Sequence, residues 1–93
     1  MLNQVIIVGR LTSEVEDNKI TLAVQRIFKN EEGIYETDFI PVIVQGGIES
    51  NMKEYCHKGD IVGIKGRTET REDKVVIIAE KVTFLSSKKK DEE

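Results

Sequence analysis

The chain has 93 residues and a mass of 10.6 kDa, enough for one domain. Its 14 Lys and Arg against 17 Asp and Glu give a formal net charge of −3, which indicates no bulk attraction to nucleic acid or to an anionic membrane. One Cys and one His are too few for an internal disulfide or a structural zinc site. Apolar runs such as residues 5–8 are shorter than the about 20 residues of a membrane span and the about 7 of a signal-peptide core. We therefore expect a cytoplasmic protein with no membrane contact, no metal and no cofactor.

The balance of aliphatic residues indicates a β-rich fold. Ile and Val together number 22, whereas Ala and Leu together number 6. Side chains branched at Cβ lose rotamer freedom in a helix but pack well on a pleated sheet. Because a small domain buries a smaller share of its surface than a large one, we also expect self-association.

Apolar alternation and turn residues divide the chain into five strands and one short helix. Three strands, a helix and two further strands form the element order of the OB-fold, an all-β five-stranded barrel. We expect this single domain at residues 1–85 and a disordered, charged tail at 86–93. The predicted strands are residues 2–12, 20–28, 34–45, 60–71 and 74–85, and the predicted helix is residues 48–57.

Glycine and proline mark particular positions in these elements. Gly9 lies inside the first strand and indicates a bulge or a bend of the barrel. Pro41 has no amide hydrogen to donate, so the third strand should lie at an edge or a bulge there. Gly33 should close the hairpin between the second and third strands with a positive φ, and Gly59 should end the helix.

Side-chain parity on the third strand separates a core face from a face that carries rings. Val42 and Val44, together with Ile40, share one parity and are predicted to be core residues. Tyr35 and Phe39 lie on the other face, where exposed rings can stack nucleic-acid bases. The same rings could instead fill a second hydrophobic patch or a subunit interface, and the pattern alone leaves both interpretations open.

Basic residues accompany these rings on neighbouring strands. Cations that follow a phosphate backbone beside stacking rings are typical of a groove for single-stranded nucleic acid. Glu69 interrupts the basic stripe of the fourth strand, and the whole set could also be an ordinary solvated strand face. The candidate phosphate contacts are Arg10, Arg26, Lys29, Lys65, Arg67 and Arg71.

The sequence offers no arrangement for catalysis. Cys56 and His57 are neighbours on the predicted helix, so their side chains should point about 100° apart and form no nucleophile–base pair. No phosphate-binding loop and no dinucleotide-binding glycine pattern is present. We therefore expect a binding protein and not an enzyme.

Five segments in chain order resemble the bacterial single-stranded DNA-binding protein (SSB) family. The five segments are NQV and VGRLT at residues 3–5 and 8–12, ITLAV at 20–24 followed by Arg26 and Phe28, DFIPVIV at 38–44, KGD and GRTETR at 58–60 and 66–71, and AEKVTFL at 79–85. Each segment is short, but together they follow the family pattern over most of residues 3–85.

The resemblance implies an OB-fold that assembles as a homotetramer, usually a dimer of dimers. It also implies binding of single-stranded DNA with little sequence preference, in replication, recombination or repair. Phe28 and Phe39 fall at positions where the family places its base-stacking aromatic residues. Simple alternation from Ile20 assigns Phe28 to the core face, so a bulge near Arg26 is needed to turn this ring outward.

The chain also departs from the family pattern. Gln45 stands where the family often has a further aromatic residue. The connection at residues 13–19 and the hairpin at 72–73 are shorter than usual, and both normally help to enclose the DNA. Residues 91–93 are acidic without an apolar anchor, so the resemblance does not imply that a tail recruits replication and repair proteins.

The sequence thus predicts a non-enzymatic protein that binds single-stranded DNA. Phe28, Tyr35 and Phe39 would stack on bases, and the six basic residues named above would contact phosphates. Two alternatives remain at this point. One is a primosome-type OB-fold accessory protein that acts mainly through protein contacts, and the other is a module that serves only protein assembly.

Overall fold

The computed structural model describes residues 1–86 and contains the predicted five strands and one helix. The strands close into a barrel in the order β1-β2-β3-β5-β4, with the helix between β3 and β4 in the chain, so the OB-fold prediction is confirmed. Of the predicted tail at 86–93, Ser86 is the last residue of β5, and the rest lies outside the described residues. The elements are β1 (Val5–Leu11), β2 (Lys19–Lys29), β3 (Tyr35–Ile43), α1 (Gly46–Tyr55), β4 (Ile61–Arg71) and β5 (Lys74–Ser86).

The barrel has one weak join, between β3 and β5. These two strands are parallel and pair only through Ile43 and Ile78, whereas every other neighbouring pair is antiparallel. The wall of the barrel is therefore partly open on this side.

Alternating side chains fill the interior of the barrel. The predicted core positions of the third strand are confirmed, because Val42 and Val44 are fully buried and the half-buried Ile40 packs against the same core; Val44 is the first residue after β3. Met52 projects from α1 into the same core. Within residues 1–86 no helix is long and apolar enough to cross a membrane. The other fully buried aliphatic side chains are Leu11, Ile20, Leu22, Val62 and Ile64.

Gly9 is required by a close approach between strands and not by a bulge. The pairing of β1 with β4 runs through Gly9 and Val62 without a shift, so of the two predicted features, a bulge or a bend, the bulge was wrong. A Cβ atom on Gly9 would lie 2.9 Å from the carbonyl oxygen of Ala23 and 2.9 Å from a methyl group of Val24. The absence of a side chain therefore lets β1 lie against β2.

Several predicted boundaries were wrong by a few residues. β1 begins at Val5 and not at residue 2, and β5 continues one residue past Leu85. The third strand ends at Ile43 and not at Gln45, because Gln45 is the N-cap residue of α1 and has an extended backbone. The helix ends before Gly59, since Cys56 already has an extended backbone; Gly59 has a φ of 96° and lies in the following turn.

The turn and proline predictions are confirmed. Gly33 has a φ of 79° in the hairpin between β2 and β3. Glu72 and Asp73 both have positive φ values, which a two-residue hairpin turn of the primed type requires. Pro41 pairs with Thr21 on one side and lies two residues before the only pair with β5, so β3 has a free edge at the proline.

Candidate nucleic-acid interface

Strand register places Arg10 and Phe39 on one face of the barrel. Arg10 pairs with Ala23 on β2, and Ala23 pairs with Phe39 on β3. Side chains of directly paired residues point to the same side of a sheet, so the three residues form a row about 10 Å long. Because Ala23 is small, it covers little of its neighbour, and Phe39 is 64% exposed. The guanidinium of Arg10 donates to the carbonyl of Gly59 at 2.7 Å.

Tyr35 of β3 and Lys29 of β2 form a second pair on the same face of the sheet. They are register partners, and the ammonium of Lys29 lies 5.7 Å from the centroid of the Tyr35 ring, within the range of a cation–π contact. Tyr35 and Phe39 share strand parity and are both exposed, as predicted. The two rings are four residues apart on an extended strand, about 13 Å.

Phe28 lies in an irregular segment of β2. The register of β2 with β3 shifts between Gln25 and Lys29, which confirms the predicted irregularity near Arg26. The end of β2 is exposed on both faces, and Phe28 is 77% exposed. Within residues 1–86 neither Phe28 nor Phe39 contacts another ring, so both are open to a stacking partner.

Arg26 is held by two carboxylates. Its guanidinium donates to both oxygens of Asp38, at 3.0 and 2.8 Å, and to Glu36 at 2.6 Å. Asp38 and Glu36 have the strand parity opposite to that of Phe39, so these contacts direct Arg26 away from the ring face. The hydrogen bonds from Arg26 hold the pKa of Asp38 below its usual value. The structure therefore does not bring Arg26 together with Phe39.

The two arginines of β4 are neutralised in the same way. Glu69 accepts a hydrogen bond from Arg67 and another from Arg71, the latter at 2.9 Å. Arg67 also donates to Glu80 at 3.0 Å. These hydrogen bonds, chiefly the one from Arg67, lower the pKa of Glu69. The residue that interrupts the stripe in the sequence thus binds the charges on both sides of it.

Lys65 lies apart from the rings. It pairs with Ile6 on β1, whereas the row of Phe39 reaches β1 at Arg10, four residues further along the strand. Lys65 borders a shallow apolar depression of about 320 Å³ that includes Ile6, Val8 and Leu85. The structure therefore places Lys65 on the same outer side of the barrel as Arg10, but about 13 Å along β1 from the row that contains Phe39.

Sequence reasoning missed the carboxylates that bind Arg26, and it noted Glu69 only as an interruption of the basic stripe. For Glu69 a local signal exists, because it is two residues from both Arg67 and Arg71 and shares their strand face. Asp38 gives no local signal, since its partner Arg26 is twelve residues away and the contact depends on register. Pairing between strands therefore decides which cations are available.

Cys56 and His57 do not form a reactive pair. Burial and then the charge of Asp60 raise the pKa of the Cys56 thiol to about 11. The Nδ1 atom of His57 lies 3.5 Å from a carboxylate oxygen of Glu14. In the part of the chain that the structure describes, no group of three His, Cys, Asp or Glu side chains is placed to hold a metal ion.

Comparisons with known proteins agree with this geometry. The profile of the Single-strand binding protein family matches residues 2–85. "Single-stranded DNA-binding protein 2" of Staphylococcus aureus is 38% identical in an alignment that spans 95% of this chain and 75% of that protein. "Single-stranded DNA-binding protein 3" of Listeria innocua is 39% identical, over 95% of this chain and 66% of that protein.

A solved structure supports the fold. The crystal structure of a deletion mutant of the single-stranded DNA binding protein from Thermus aquaticus superposes with a TM-score of 0.72 and 24% identity. The match covers 94% of this chain and 52% of that chain. Since the family profile spans nearly all of the barrel and the relatives align over almost the whole chain, this chain belongs to the single-strand binding protein family.

Proposed function

We propose that the protein binds single-stranded DNA with little sequence preference and without catalysis, and protects it during replication, recombination or repair. The observation that carries the proposal is the exposed ring of Phe39 beside Arg10 on the outer face of an SSB-family barrel. Every base has a face that stacks on a ring, so such a site tolerates any sequence. The family match favours this function over the primosome-type accessory protein and the pure assembly module.

The residues divide into two groups by the availability of their side chains. Phe28, Tyr35 and Phe39 are exposed rings for base stacking. Arg10 and Lys29 lie on the ring face and take the phosphates next to Phe39 and Tyr35. Lys65 would contact DNA only if the bound DNA strand continues around the barrel beyond Arg10.

The ion-paired arginines form a third group. Arg26, Arg67 and Arg71 contact phosphates only by exchanging a carboxylate partner for the DNA. Together with the net charge of −3, this exchange supports weak binding that is sensitive to salt.

The barrel also has a surface suited to self-association. Ile6 and Val8 of β1 are 69% and 52% exposed, and Leu85 of β5 lies beside them around the apolar depression. Apolar side chains grouped in this way on a small domain are typical of a contact between copies. We propose a homo-oligomer, a tetramer by analogy with the family, that acts in the cytoplasm.

A salt titration with oligo-dT tests the function. Fluorescence anisotropy of labelled oligo-dT should show binding at low salt that weakens as salt rises, with a slope of about −0.7 for each phosphate neutralised. A duplex of the same length is the control and should bind more weakly, because its bases are not free to stack. Absence of oligo-dT binding at low salt would contradict the proposal. Equal affinity for duplex would contradict its single-strand part.

A further inference from the structure

Residues 25–37 form a two-stranded ribbon that projects from the barrel. β1 pairs with β2 only before residue 25, and β3 meets β5 only after residue 37, so no third strand flanks the ribbon. The side chain of Asn30 fixes the turn, because its Oδ1 atom accepts hydrogen bonds from the amides of Glu32 and Ile34, at 2.8 and 3.0 Å. The ribbon therefore presents its turn to solvent in a defined shape.

Two carboxylates and an apolar side chain stand at this turn. Glu31 and Glu32 are exposed, and neither forms an ion pair within residues 1–86. They differ from Glu36 of the same ribbon, which Arg26 holds at 2.6 Å. Ile34 is 53% exposed. The turn thus offers unpaired negative charge beside an apolar group.

The opposite chemistry is found in a cleft at the other end of β3, named here the lysine cleft. It has a volume of about 350 Å³ and opens where β3 and β5 meet through a single residue pair. Two lysines flank an apolar floor, and neither forms an ion pair in the described part of the chain. The lining residues are Lys19, Pro41, Ile43, Lys74, Val75 and Val76.

The turn of the ribbon and the lysine cleft are complementary, but they are far apart in one chain. Two unpaired carboxylates match two unpaired ammonium groups, and an exposed isoleucine matches an apolar floor. Ile34 and Ile43 are nine residues apart on an extended strand, about 30 Å. The turn therefore does not reach the cleft of its own chain. Two different surfaces on one chain can meet head to tail, and such a contact continues from copy to copy.

We propose that the turn of the ribbon in one copy docks in the lysine cleft of a second copy. Glu31 and Glu32 pair with the two lysines, and Ile34 packs against the apolar floor. This contact is separate from the apolar depression around Ile6, with which it shares no residue. It therefore joins copies or oligomers that the depression does not join.

The contact also covers one end of the face that carries Phe39. Phe39, Pro41 and Ile43 have the same parity on β3, so their side chains follow one another at about 7 Å along one face. A DNA strand on that face and a second copy in the cleft therefore exclude each other. This consequence rests on the proposed function, whereas the contact itself does not.

Charge reversal on each side of the contact tests it by sedimentation velocity, over a range of protein concentrations at low salt. Lys19→Glu with Lys74→Glu lowers the net charge, and Glu31→Lys with Glu32→Lys raises it by the same amount. Both variants should need at least about tenfold more protein to associate beyond the basal oligomer, because like charges across a contact repel. A variant with all four substitutions keeps the net charge and should associate as the unmutated protein does. Failure of this variant to recover, or an effect in only one of the reversed variants, would overturn the proposal.

Zero-length cross-linking tests the contact in the unmutated protein. A carbodiimide joins a carboxylate and an ammonium group that touch, with loss of water, and mass spectrometry identifies the joined peptides. Glu31 or Glu32 should be joined to a lysine of the cleft, increasingly as the protein concentration rises. The pair of Lys53 and Glu49, 3.6 Å apart on α1, is the control and should be joined equally at every concentration. Absence of the first product beside the second would contradict the contact.

Oligo-dT separates the contact from the proposed function. It should disperse the assemblies larger than the basal oligomer and suppress the cross-links to the lysine cleft. The proposed function fails if the unmutated protein does not bind oligo-dT. The contact fails if the mass without DNA does not depend on protein concentration. It also fails if reversal of the cleft lysines weakens oligo-dT binding without changing the mass, which would show that the cleft serves DNA alone.

Discussion

Arg26 and Asp38 form a two-point contact on the side of β3 that faces away from the Phe39 ring. The hydrogen bonds are Nε to Oδ2 at 3.0 Å and Nη2 to Oδ1 at 2.8 Å. A planar guanidinium matches a carboxylate in this geometry as well as it matches a phosphate. Asp38 therefore occupies the position on Arg26 that a DNA phosphate would need.

Asp38→Asn should strengthen DNA binding. The substitution keeps the size of the side chain but removes the charge that competes for Arg26, leaving Glu36 as its carboxylate partner. If Arg26 then contacts a phosphate, the plot of log affinity against log salt becomes steeper by up to about 0.7. The ratio of variant affinity to unmutated affinity should then be up to about fivefold higher at 0.1 M salt than at 1 M salt. The measurement is anisotropy of labelled oligo-dT over a range of salt concentrations.

Glu54→Gln is the matched control for this prediction. Glu54 is exposed on α1, and its substitution also removes one negative charge. An equal gain of affinity in both variants would show that net charge alone is responsible and that release of Arg26 is not.

Phe39→Ala should weaken the binding of oligo-dT by about 1–3 kcal/mol per subunit, the usual contribution of one stacked base. Tyr55→Ala is the control, because Tyr55 is also an exposed ring but contacts Phe84 near the helix, with centroids 6.1 Å apart. Binding constants are compared at one salt concentration. Equal losses in the two variants would contradict the placement of the stacking site on β3.

The fold was predictable because local patterns agree with one another. The burial of Val42 beside the exposure of Phe39 follows directly from alternation, and the turn at residues 72–73 follows from hairpin chemistry. The boundaries were less accurate, because Gln45 and Cys56 have extended conformations that depend on how α1 meets the barrel.

The availability of charge was the part that the sequence did not reveal. Arg26 and Lys19 are both basic residues of β2, yet one is bound by two carboxylates and the other forms no ion pair in the described part of the chain. The difference arises from the residues opposite each of them on β3, where Asp38 and Glu36 stand at one end and Ile43 at the other. Register between strands, which alternation does not fix, therefore determines the candidate phosphate contacts.

Glu69→Gln should reduce the loss of stability at low pH. Arg67 and Arg71 lower the pKa of Glu69 in the folded protein below its ordinary value of 4.5. The ionised carboxylate therefore stabilises the fold at pH values above 4.5. This contribution is lost as the pH falls from 4.5 through the lower folded-state pKa. The urea midpoint of the unmutated protein should therefore fall more steeply below pH 4.5 than that of the variant. Identical slopes would show that the ion pairs do not contribute to stability in solution.

Ile6→Asp should reduce the mass of the oligomer in solution. The charge would lie in the apolar depression beside Val8 and Leu85, where contact with another copy would have to bury it. Light scattering after size exclusion measures the mass. Ile27→Asp is the control, since Ile27 is exposed on the hairpin and does not line the depression. An unchanged mass for Ile6→Asp would place the contact between copies elsewhere.

Gly66→Ala and Gly47→Ala should change stability in opposite directions. A Cβ atom on Gly66 would overlap the carbonyl of Ile78 on β5, so β4 and β5 would have to separate and the free energy of unfolding should fall by about 1–3 kcal/mol. A Cβ atom on Gly47 meets nothing within 4 Å, and alanine in the first turn of α1 should raise the free energy of unfolding by up to about 1 kcal/mol. Urea unfolding at one pH measures both changes. A Gly66→Ala midpoint equal to that of the unmutated protein would mean that β5 shifts at no cost, because the single pair between Ile43 and Ile78 does not hold it in place.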